Sequence, residues 1–362
     1  MDGYPLNHLL GLPYAVLQHI VWHLCAPAAG ALANCIRDPT LRATVQSAPA
    51  RVSDLFWFKR ACWQLPSPRW IVPGGRSAST IVTGEDQFRL FWQQLNSDDF
   101  AAAVAEGVAP WLELSVYNCD AIGDEHLELL GRICRGLHLD RCRGVSRVGL
   151  LGHVPRLELS GCGRVTDLTG LGAQGQVSVH LWALKITSLQ PVGRVAVISV
   201  SDCPLVLDLE GLGGPEQVNV TLRALKITSL GPVGRVAVLY VSDCPSLLSL
   251  KGIDTPGSLI LSKLPIMGLL GLTGVKAAVD VISCPNVRSA EGLQGCKSVN
   301  LLQLQQLCDV GMLGAVPHVS ITSCPKVLEL WHSEPGQYVE LTDMAQVKNL
   351  DTLTLAASIK ID

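Results

Sequence analysis

Aliphatic residues recur along most of this chain at a spacing that is typical of short β-strands. The recurring pattern is L-x-x-L-x-L-x-x-C, with other aliphatic residues accepted at the Leu positions. Because alternate side chains of a strand point to opposite faces, each copy predicts a short strand with one buried side. Two looser copies close at Cys119 and Cys142, and the later copies close at positions spaced by 41, 41, 40 and 40 residues: Cys162, Cys203, Cys244, Cys284 and Cys324.

Half-period copies lie between these units and keep the strand without the cysteine, at 177–179, 218–220, 259–261, 299–301 and 339–341. The period is therefore about 20 residues. Two segments, 181–204 and 222–245, differ at only four of 24 positions. A fixed period favours a repeat architecture over an ordinary globular β protein. We predict an α/β solenoid of about 12 units over 111–362, in which parallel strands line a concave wall.

The remaining half of each unit returns the chain along the convex side. One example, VTDLTGL at 165–171, is rich in turn-forming and small residues. Such short returns predict irregular or 3₁₀ turns in place of long helices. The cysteine lies where the chain leaves the strand, and we expect its thiol to act as a small buried filler with a weak donor.

Residues 1–110 carry no repeat, and apolar residues at helical spacing predict an N-terminal α-helical domain. Pro13 suits the first turn of a helix that continues through Leu17, Ile20 and Leu24. A second helix with an aromatic face is predicted at 53–63, and a third at 84–106. A repeat stack exposes an apolar end, so these helices could serve only as its cap.

The repeats resemble the cysteine-containing leucine-rich repeats of F-box/leucine-rich-repeat proteins. The segment CGRVTDL at 162–168 is also similar to the CxxVTDLxxL motif of leucine-rich repeat proteins in trypanosomatid parasites. This resemblance covers about two-thirds of the chain and implies a leucine-rich repeat horseshoe. It implies no single function, because such repeats serve many partners.

The start of the chain, at 10–64, is similar to an F-box. The resemblance implies that its LP-led helix binds a Skp-type adaptor, which links the protein to a cullin–RING ubiquitin ligase. A later helix with Leu55 and Trp57 would complete the F-box, whereas the segment 25–51 departs from the family pattern. The adaptor-binding residues that match the family are Leu12, Pro13, Leu17, Ile20 and Leu24.

Composition narrows the function classes. Hydrophobic residues make up 48% of the chain and charged residues 16%, and the formal net charge is −3. Without a basic footprint, nucleic-acid binding is disfavoured except indirectly within an assembly. The 13 cysteines follow the structural period, so we expect reduced thiols and an intracellular, cytoplasmic protein. The apolar stretch 9–33 is interrupted by Pro13 and two histidines, and we interpret it as a buried helix and not as a membrane span.

The sequence contains no arrangement that is typical of catalysis. His19 and His23 are four residues apart but lack the intervening Glu of HExxH, so we interpret them as the polar side of a helix. The periodic cysteines are explained by packing, and buried thiols are poor nucleophiles. We therefore expect a protein that is not an enzyme and that needs neither a metal nor a cofactor.

Residues between the inward aliphatics are expected to project from the concave wall, where they would contact an unknown client protein. Counting at the constant period gives one stripe that consists of Ser115, His138, Glu158, Ser178, Ser199, Asn219, Tyr240, Ile260, Asp280, Asn300, Ser320 and Glu340. The neighbouring row consists of Tyr117, Asp140, Ser160, His180, Ser201, Thr221, Ser242, Ser262, Ile282, Leu302, Thr322 and Thr342. From these two rows we predict eight partner-binding residues: Tyr117, His138, Glu158, His180, Tyr240, Ile260, Asp280 and Asn300.

Two functions fit these patterns. The first is a protein-interaction adaptor, in which the N-terminal helices hold a ligase adaptor and the repeats hold a client. The second is a non-catalytic subunit of a large ribonucleoprotein or cytoskeletal assembly, which the apolar composition and the short loops favour.

Overall fold

A computed structural model describes residues 78–95, 112–214, 216–231, 233, 236–253, 257–273, 275–344, 346–353, 356 and 358–361. The helices that the sequence predicts at 12–24 and 53–63, and with them the adaptor-binding residues, lie outside the described residues. The F-box resemblance therefore stays a prediction.

The described residues form one open sheet of fourteen parallel strands, arranged in the order of the sequence. When consecutive strands pair in parallel, each connection must bring the chain back to the side of the sheet where the preceding strand began, as in a stack of repeats. The fold is thus a solenoid-like α/β fold. The strands are β1 (Ala78–Thr83), β2 (Leu112–Tyr117), β3 (Cys134–Asp140), β4 (Arg156–Ser160), β5 (Ser178–Trp182), β6 (Val197–Ser201), β7 (Asn219–Arg223), β8 (Val238–Ser242), β9 (Ser258–Ser262), β10 (Ala278–Ile282), β11 (Ser298–Leu302), β12 (His318–Thr322), β13 (Tyr338–Thr342) and β14 (Ser358–Ile361).

Two helices accompany the first strands: α1 (Glu85–Leu95) and α2 (Asp124–Ile133). The other returning segments contain 3₁₀ turns at Val148–Leu151, Gln190–Val192, Leu270–Leu272, Gly311–Ala315 and Leu350–Leu353, or irregular chain. The expectation of short 3₁₀ turns is confirmed for these segments. The aliphatic rows of the strands pack against the returning segments and form one continuous buried core.

The repeat sheet begins before residue 111. Strand β1 pairs with β2 over six residues, and α1 buries Phe88, Phe91 and Leu95 in the same core. The described helix lies within the range 84–106 that the sequence predicts. The strand has neither the leucine spacing nor the cysteine of the later units, so the repeat pattern did not show it.

Each strand from β2 to β13 is followed directly by a residue with positive φ. Eleven of these residues are not glycine, and Gly161 occupies the twelfth turn. The left-handed turn directs the backbone N–H of this residue toward the next strand. In consecutive repeats, Lys263 N donates to Ile282 O at 2.9 Å and Ser283 N donates to Leu302 O at 2.8 Å. The sheet is thereby extended by one hydrogen bond beyond each strand, at the cost of a conformation that L residues disfavour.

A buried cysteine follows this turn after β2, β3 and β4 and then after every second strand up to β12, as the sequence predicts. Cys162 Sγ donates to Leu139 O at 3.5 Å, and Cys324 Sγ donates to Leu301 O at 3.7 Å. The thiol thus fills a small space and satisfies a carbonyl of the preceding strand.

The constant period gave a wrong register for strands β5 and β7. Glu158 pairs with His180, which pairs with Ser199, so successive central residues are 22 and 19 residues apart. Thr221 likewise takes the place that counting gave to Asn219. Ser178 and Asn219 therefore lie two residues earlier than expected, and His180 and Thr221 move to the central position.

Two buried glutamines lie in the longer connections that cause this shift. Gln176 Oε1 accepts from Gly172 N at 2.7 Å, and its Nε2 donates to Leu151 O at 3.2 Å. Gln217 accepts from Gly213 N and donates to Val192 O in the same way one duplicated unit later. Each carboxamide joins its own repeat to the preceding one and pairs backbone groups of both.

Candidate functional site

One face of the sheet is covered by the returning segments, and we call the other the open face. Its side chains form three rows along the parallel register. The first row is Glu113, Gly136, Arg156, Ser178, Val197, Asn219, Val238, Ser258, Ala278, Ser298, His318, Tyr338 and Ser358. The central row is Ser115, His138, Glu158, His180, Ser199, Thr221, Tyr240, Ile260, Asp280, Asn300, Ser320, Glu340 and Lys360. The last row is Tyr117, Asp140, Ser160, Trp182, Ser201, Arg223, Ser242, Ser262, Ile282, Leu302, Thr322 and Thr342.

The eight residues that the sequence singled out for partner binding all lie on this face. Seven occupy the central row: His138, Glu158, His180, Tyr240, Ile260, Asp280 and Asn300. Tyr117 lies in the last row. The structure does not bring them into one cluster, because the central row alone crosses thirteen strands. At about 4.8 Å per strand the row is about 60 Å long.

A hydrogen-bonded cluster lies at the β2–β4 end of the open face. Tyr117 Oη and His138 Nδ1 are 3.2 Å apart, and the two rings meet edge to face with centroids 5.0 Å apart. His138 Nε2 lies 3.8 Å from Glu158 Oε1. Glu113 pairs with Arg156 and lies 3.8 Å from Arg135. Glu113, His138, Arg156 and Glu158 line a shallow depression of about 250 Å³.

The order Ser115, His138, Glu158 across three neighbouring strands resembles a nucleophile–base–acid series. The contacts differ from that arrangement, because both ring nitrogens of His138 face Tyr117 and Glu158. Activation of a serine needs a hydrogen bond from its hydroxyl to the base. Among the hydrogen bonds of the described residues, Ser115 makes none with His138. The contacts of the cluster therefore hold charged and polar groups together without forming a catalytic series.

Near-duplicate repeats differ mainly on the open face. Residues 178–204 and 219–245 align without gaps and differ at six of 27 positions. Four of the differences fall on the six open-face positions of these strands: Ser178/Asn219, His180/Thr221, Trp182/Arg223 and Ser199/Tyr240. The other 21 positions contain only two differences, Gln190/Gly231 and the buried pair Ile198/Leu239.

Solvent exposure alone does not explain why the differences between the two copies fall on the open face. Lys185, Thr187 and Ser188 are exposed on the returning segment, and the second copy has identical exposed residues at the same places. The differences therefore concentrate on the open face, and elsewhere on the surface the copies differ only at Gln190/Gly231.

Trp182 is the open-face residue that sequence reasoning missed. Its side chain is 56% exposed, between Ser160 and Ser201 of the flanking strands. Counting at the constant period had placed His180 in this row, because it did not include the two-residue register shift. The signal in the sequence was the Trp/Arg difference inside an otherwise repeated LxALKITSL segment. An exposed tryptophan among small polar residues is the kind of side chain that anchors a protein interface.

The middle of the open face is more apolar. Ile260 and Asn300 flank Asp280 in the central row, and Ile282 and Leu302 lie side by side in the last row. Asp280 is half-buried, and burial raises the pKa of its carboxyl although a hydrogen bond from Asn300 partly opposes this change.

Burial lowers the reactivity that is expected of the thiols in the core. Burial raises the pKa of Cys203 to about 11 and that of Cys296 to about 11. A thiol with a raised pKa is a poor nucleophile at neutral pH. Of the ten cysteines in the described part of the chain, Cys308 alone is exposed.

Other site types are not found among the described residues. No group of three or more His, Cys, Asp or Glu side chains in this part of the chain is arranged to hold a metal ion. Neither described helix has the length and hydrophobicity needed to cross a bilayer.

No protein-family model matches this sequence, and no curated protein matches it significantly.

Proposed function

We propose that this protein is an interaction adaptor whose open face binds an extended segment of another protein. The observation that carries the proposal is the divergence of the duplicated repeats at four of six open-face positions. A surface kept only for solubility has no reason to concentrate its differences on one face, while elsewhere on the surface only Gln190/Gly231 differs. Recognition of different parts of a ligand by successive repeats gives such a reason.

The chemistry of the face suits a polypeptide. Serine, threonine and asparagine side chains can hydrogen-bond a partner backbone, and Tyr117, Trp182 and Tyr240 supply aromatic anchors. The net charge of −3 disfavours a nucleic acid as the direct ligand. The fold supports a leucine-rich repeat horseshoe, in which the open face is the concave wall.

The finer proposal is that this adaptor is the substrate receptor of a cullin–RING ubiquitin ligase. It rests on the F-box resemblance of Leu12, Pro13, Leu17, Ile20 and Leu24. In this arrangement a Skp-type adaptor would bind the N-terminal helices, and the repeats would hold the client.

The test is affinity purification of the full chain from its native cell, with three variants and quantitative mass spectrometry. The open-face variant is Trp182→Ser/Tyr240→Ser, and its matched control is Lys185→Ala/Thr187→Ala on the returning segment. We expect the open-face variant to lose its client at least tenfold, because aromatic anchors carry most of the binding energy. Equal recovery with both variants would refute binding by the open face.

The third variant, Leu12→Ala/Pro13→Ala/Leu17→Ala, tests the ligase. We expect it to lose a Skp-type protein and a cullin while it keeps the client. Absence of any Skp-type protein from the wild-type sample would leave the client-binding proposal standing and remove the ligase.

One observation favours a structural subunit as the second candidate. Leu207, Leu248 and Met267 are 63%, 66% and 74% exposed on segments that leave β6, β8 and β9. Exposed apolar side chains in successive repeats are typical of a permanent interface. This candidate predicts sedimentation with a particle much larger than 38.7 kDa, whereas an adaptor sediments as a small, exchanging species.

A further inference from the structure

The carboxylate of Asp280 differs from the other carboxylates of the central row. Glu158 lies 3.8 Å from His138 Nε2, and Glu340 lies 2.8 Å from Lys360 Nζ. Among the described residues, Asp280 makes no ion pair, and its one polar side-chain partner is Asn300, a neutral group. A half-buried carboxylate without a cation is unfavourable in the free protein.

The cations of the open face are too far away to compensate for this charge. The nearest arginine and lysine of the three rows are Arg223 on β7 and Lys360 on β14, three and four strands from β10, and Arg156 on β4 is farther away. At about 4.8 Å per strand these separations are about 14 and 19 Å. Both cations are also engaged locally, Arg223 with Asp243 at 3.3 Å and Lys360 with Glu340.

Aliphatic side chains surround the carboxylate. Ile260 is its neighbour on β9, Ile282 follows it by two residues on the same face, and Leu302 is paired with Ile282. A long basic side chain fits this setting, because its methylene stem can cover aliphatic surface while its charged end reaches an anion. A neutral or acidic side chain would leave the carboxylate unpaired or add repulsion.

We propose that the open face recognises an extended segment that carries a lysine or arginine, and that Asp280 pairs with this side chain while Ile260, Ile282 and Leu302 hold its stem. This inference rests on the proposed function, because it names the partner chemistry of the same face. Asn300 orients the carboxylate and leaves an oxygen for the incoming cation.

The first experiment is phage display of random dodecapeptides on the immobilised full chain, on Asp280→Lys and on the control Glu340→Gln. Glu340 is also a central-row carboxylate, but it already has its cation. We expect peptides selected by the wild type and by Glu340→Gln to be enriched in Lys or Arg. Peptides selected by Asp280→Lys should be enriched in Asp or Glu.

The second experiment is a double-mutant cycle with one selected peptide. Replacing its basic residue by norleucine should weaken binding at least tenfold for the wild type and leave binding to Asp280→Asn unchanged. Asp280→Asn keeps the size and the hydrogen bond to Asn300, so a thermal melt will confirm that it folds.

The outcomes separate the two proposals. Peptides that bind the wild type, fail on Trp182→Ser and show no basic enrichment would overturn the role of Asp280 and leave the open face as the binding site. If no selected peptide depends on Trp182 or Asp280, peptide recognition by the open face is itself wrong.

Discussion

Trp182 and Arg223 occupy the same place in two nearly identical repeats, in the last row of the open face with Ser201 between them. Trp182 has no cation or carboxylate in its row on either side, whereas Arg223 lies 3.3 Å from Asp243 Oδ2. One duplicated framework thus presents an aromatic surface and a charged one about two strands apart, and each can contact a different part of a ligand.

Replacing Trp182 by Ser should weaken binding of a selected peptide by about 30-fold, the effect of a typical interface anchor. Fluorescence anisotropy with labelled peptide measures this loss. The melting temperature should change little, because the indole is 56% exposed and packs no core. A variant that binds normally would remove Trp182 from the ligand site, and one that unfolds would show a structural role.

Replacing Gln337 by Leu should lower the free energy of unfolding by about 2–4 kcal/mol. The Nε2 of Gln337 donates to Leu313 O at 2.8 Å and Val316 O at 2.7 Å, and Oε1 accepts from Trp331 Nε1 at 2.9 Å. Leucine would remove the partner of Val316 O and Trp331 Nε1, whereas Leu313 O would keep its hydrogen bond from Val316 N. Chemical denaturation measures the effect, and the exposed Gln305→Leu is the control, for which a change below about 0.5 kcal/mol is expected.

The cysteines of the described region should differ in how fast they react with an alkylating reagent. Alkylation of the folded protein near pH 8, followed by peptide mapping, should label Cys308 rapidly and the nine buried cysteines only on unfolding. Rapid labelling of Cys203 or Cys296 would contradict the burial that raises the pKa of each thiol to about 11.

The raised pKa values of the same thiols predict that the protein becomes less stable at alkaline pH. An unfolded thiol ionises near its ordinary pKa of 9.0, whereas Cys203 and Cys296 stay protonated in the folded protein up to about 11. The unfolded state therefore binds fewer protons in this window, and stability falls as pH rises from 9 to 11. Melts across this range test the slope, and Cys203→Ala/Cys296→Ala should show a shallower one.

Asp280→Asn should stabilise the free protein at neutral pH. Burial holds the pKa of Asp280 above its ordinary value of 3.8, so ionisation lowers the stability of the folded state as pH rises through the raised value. Asparagine does not ionise, so the Tm difference should favour the variant at pH 7 and vanish below pH 3.8. A variant that is less stable at pH 7 would mean that the carboxylate contributes to the fold and is not held for a ligand.

The repeat architecture follows from the periodicity of the chain alone. Alternating aliphatics such as Leu157 and Leu159, repeated at a near-constant spacing, can bury one face of each strand only by stacking it on the next. Cys162 and its successors mark where each strand ends, and the pattern therefore predicted the parallel order, the 3₁₀ returns and the buried thiols. These features depend on local periodicity, which a sequence displays directly.

Which side chains share a row depends instead on how the strands pair in three dimensions. Gln176 and Gln217 join neighbouring repeats through side-chain hydrogen bonds, and the longer connections around them shift β5 and β7 by two residues. Counting along the chain at one period cannot register such a shift, because pairing is set by the backbone hydrogen bonds between strands. The position of Trp182, the place of β1 in the sheet and the unpaired charge of Asp280 all depend on contacts between residues that are distant in the sequence.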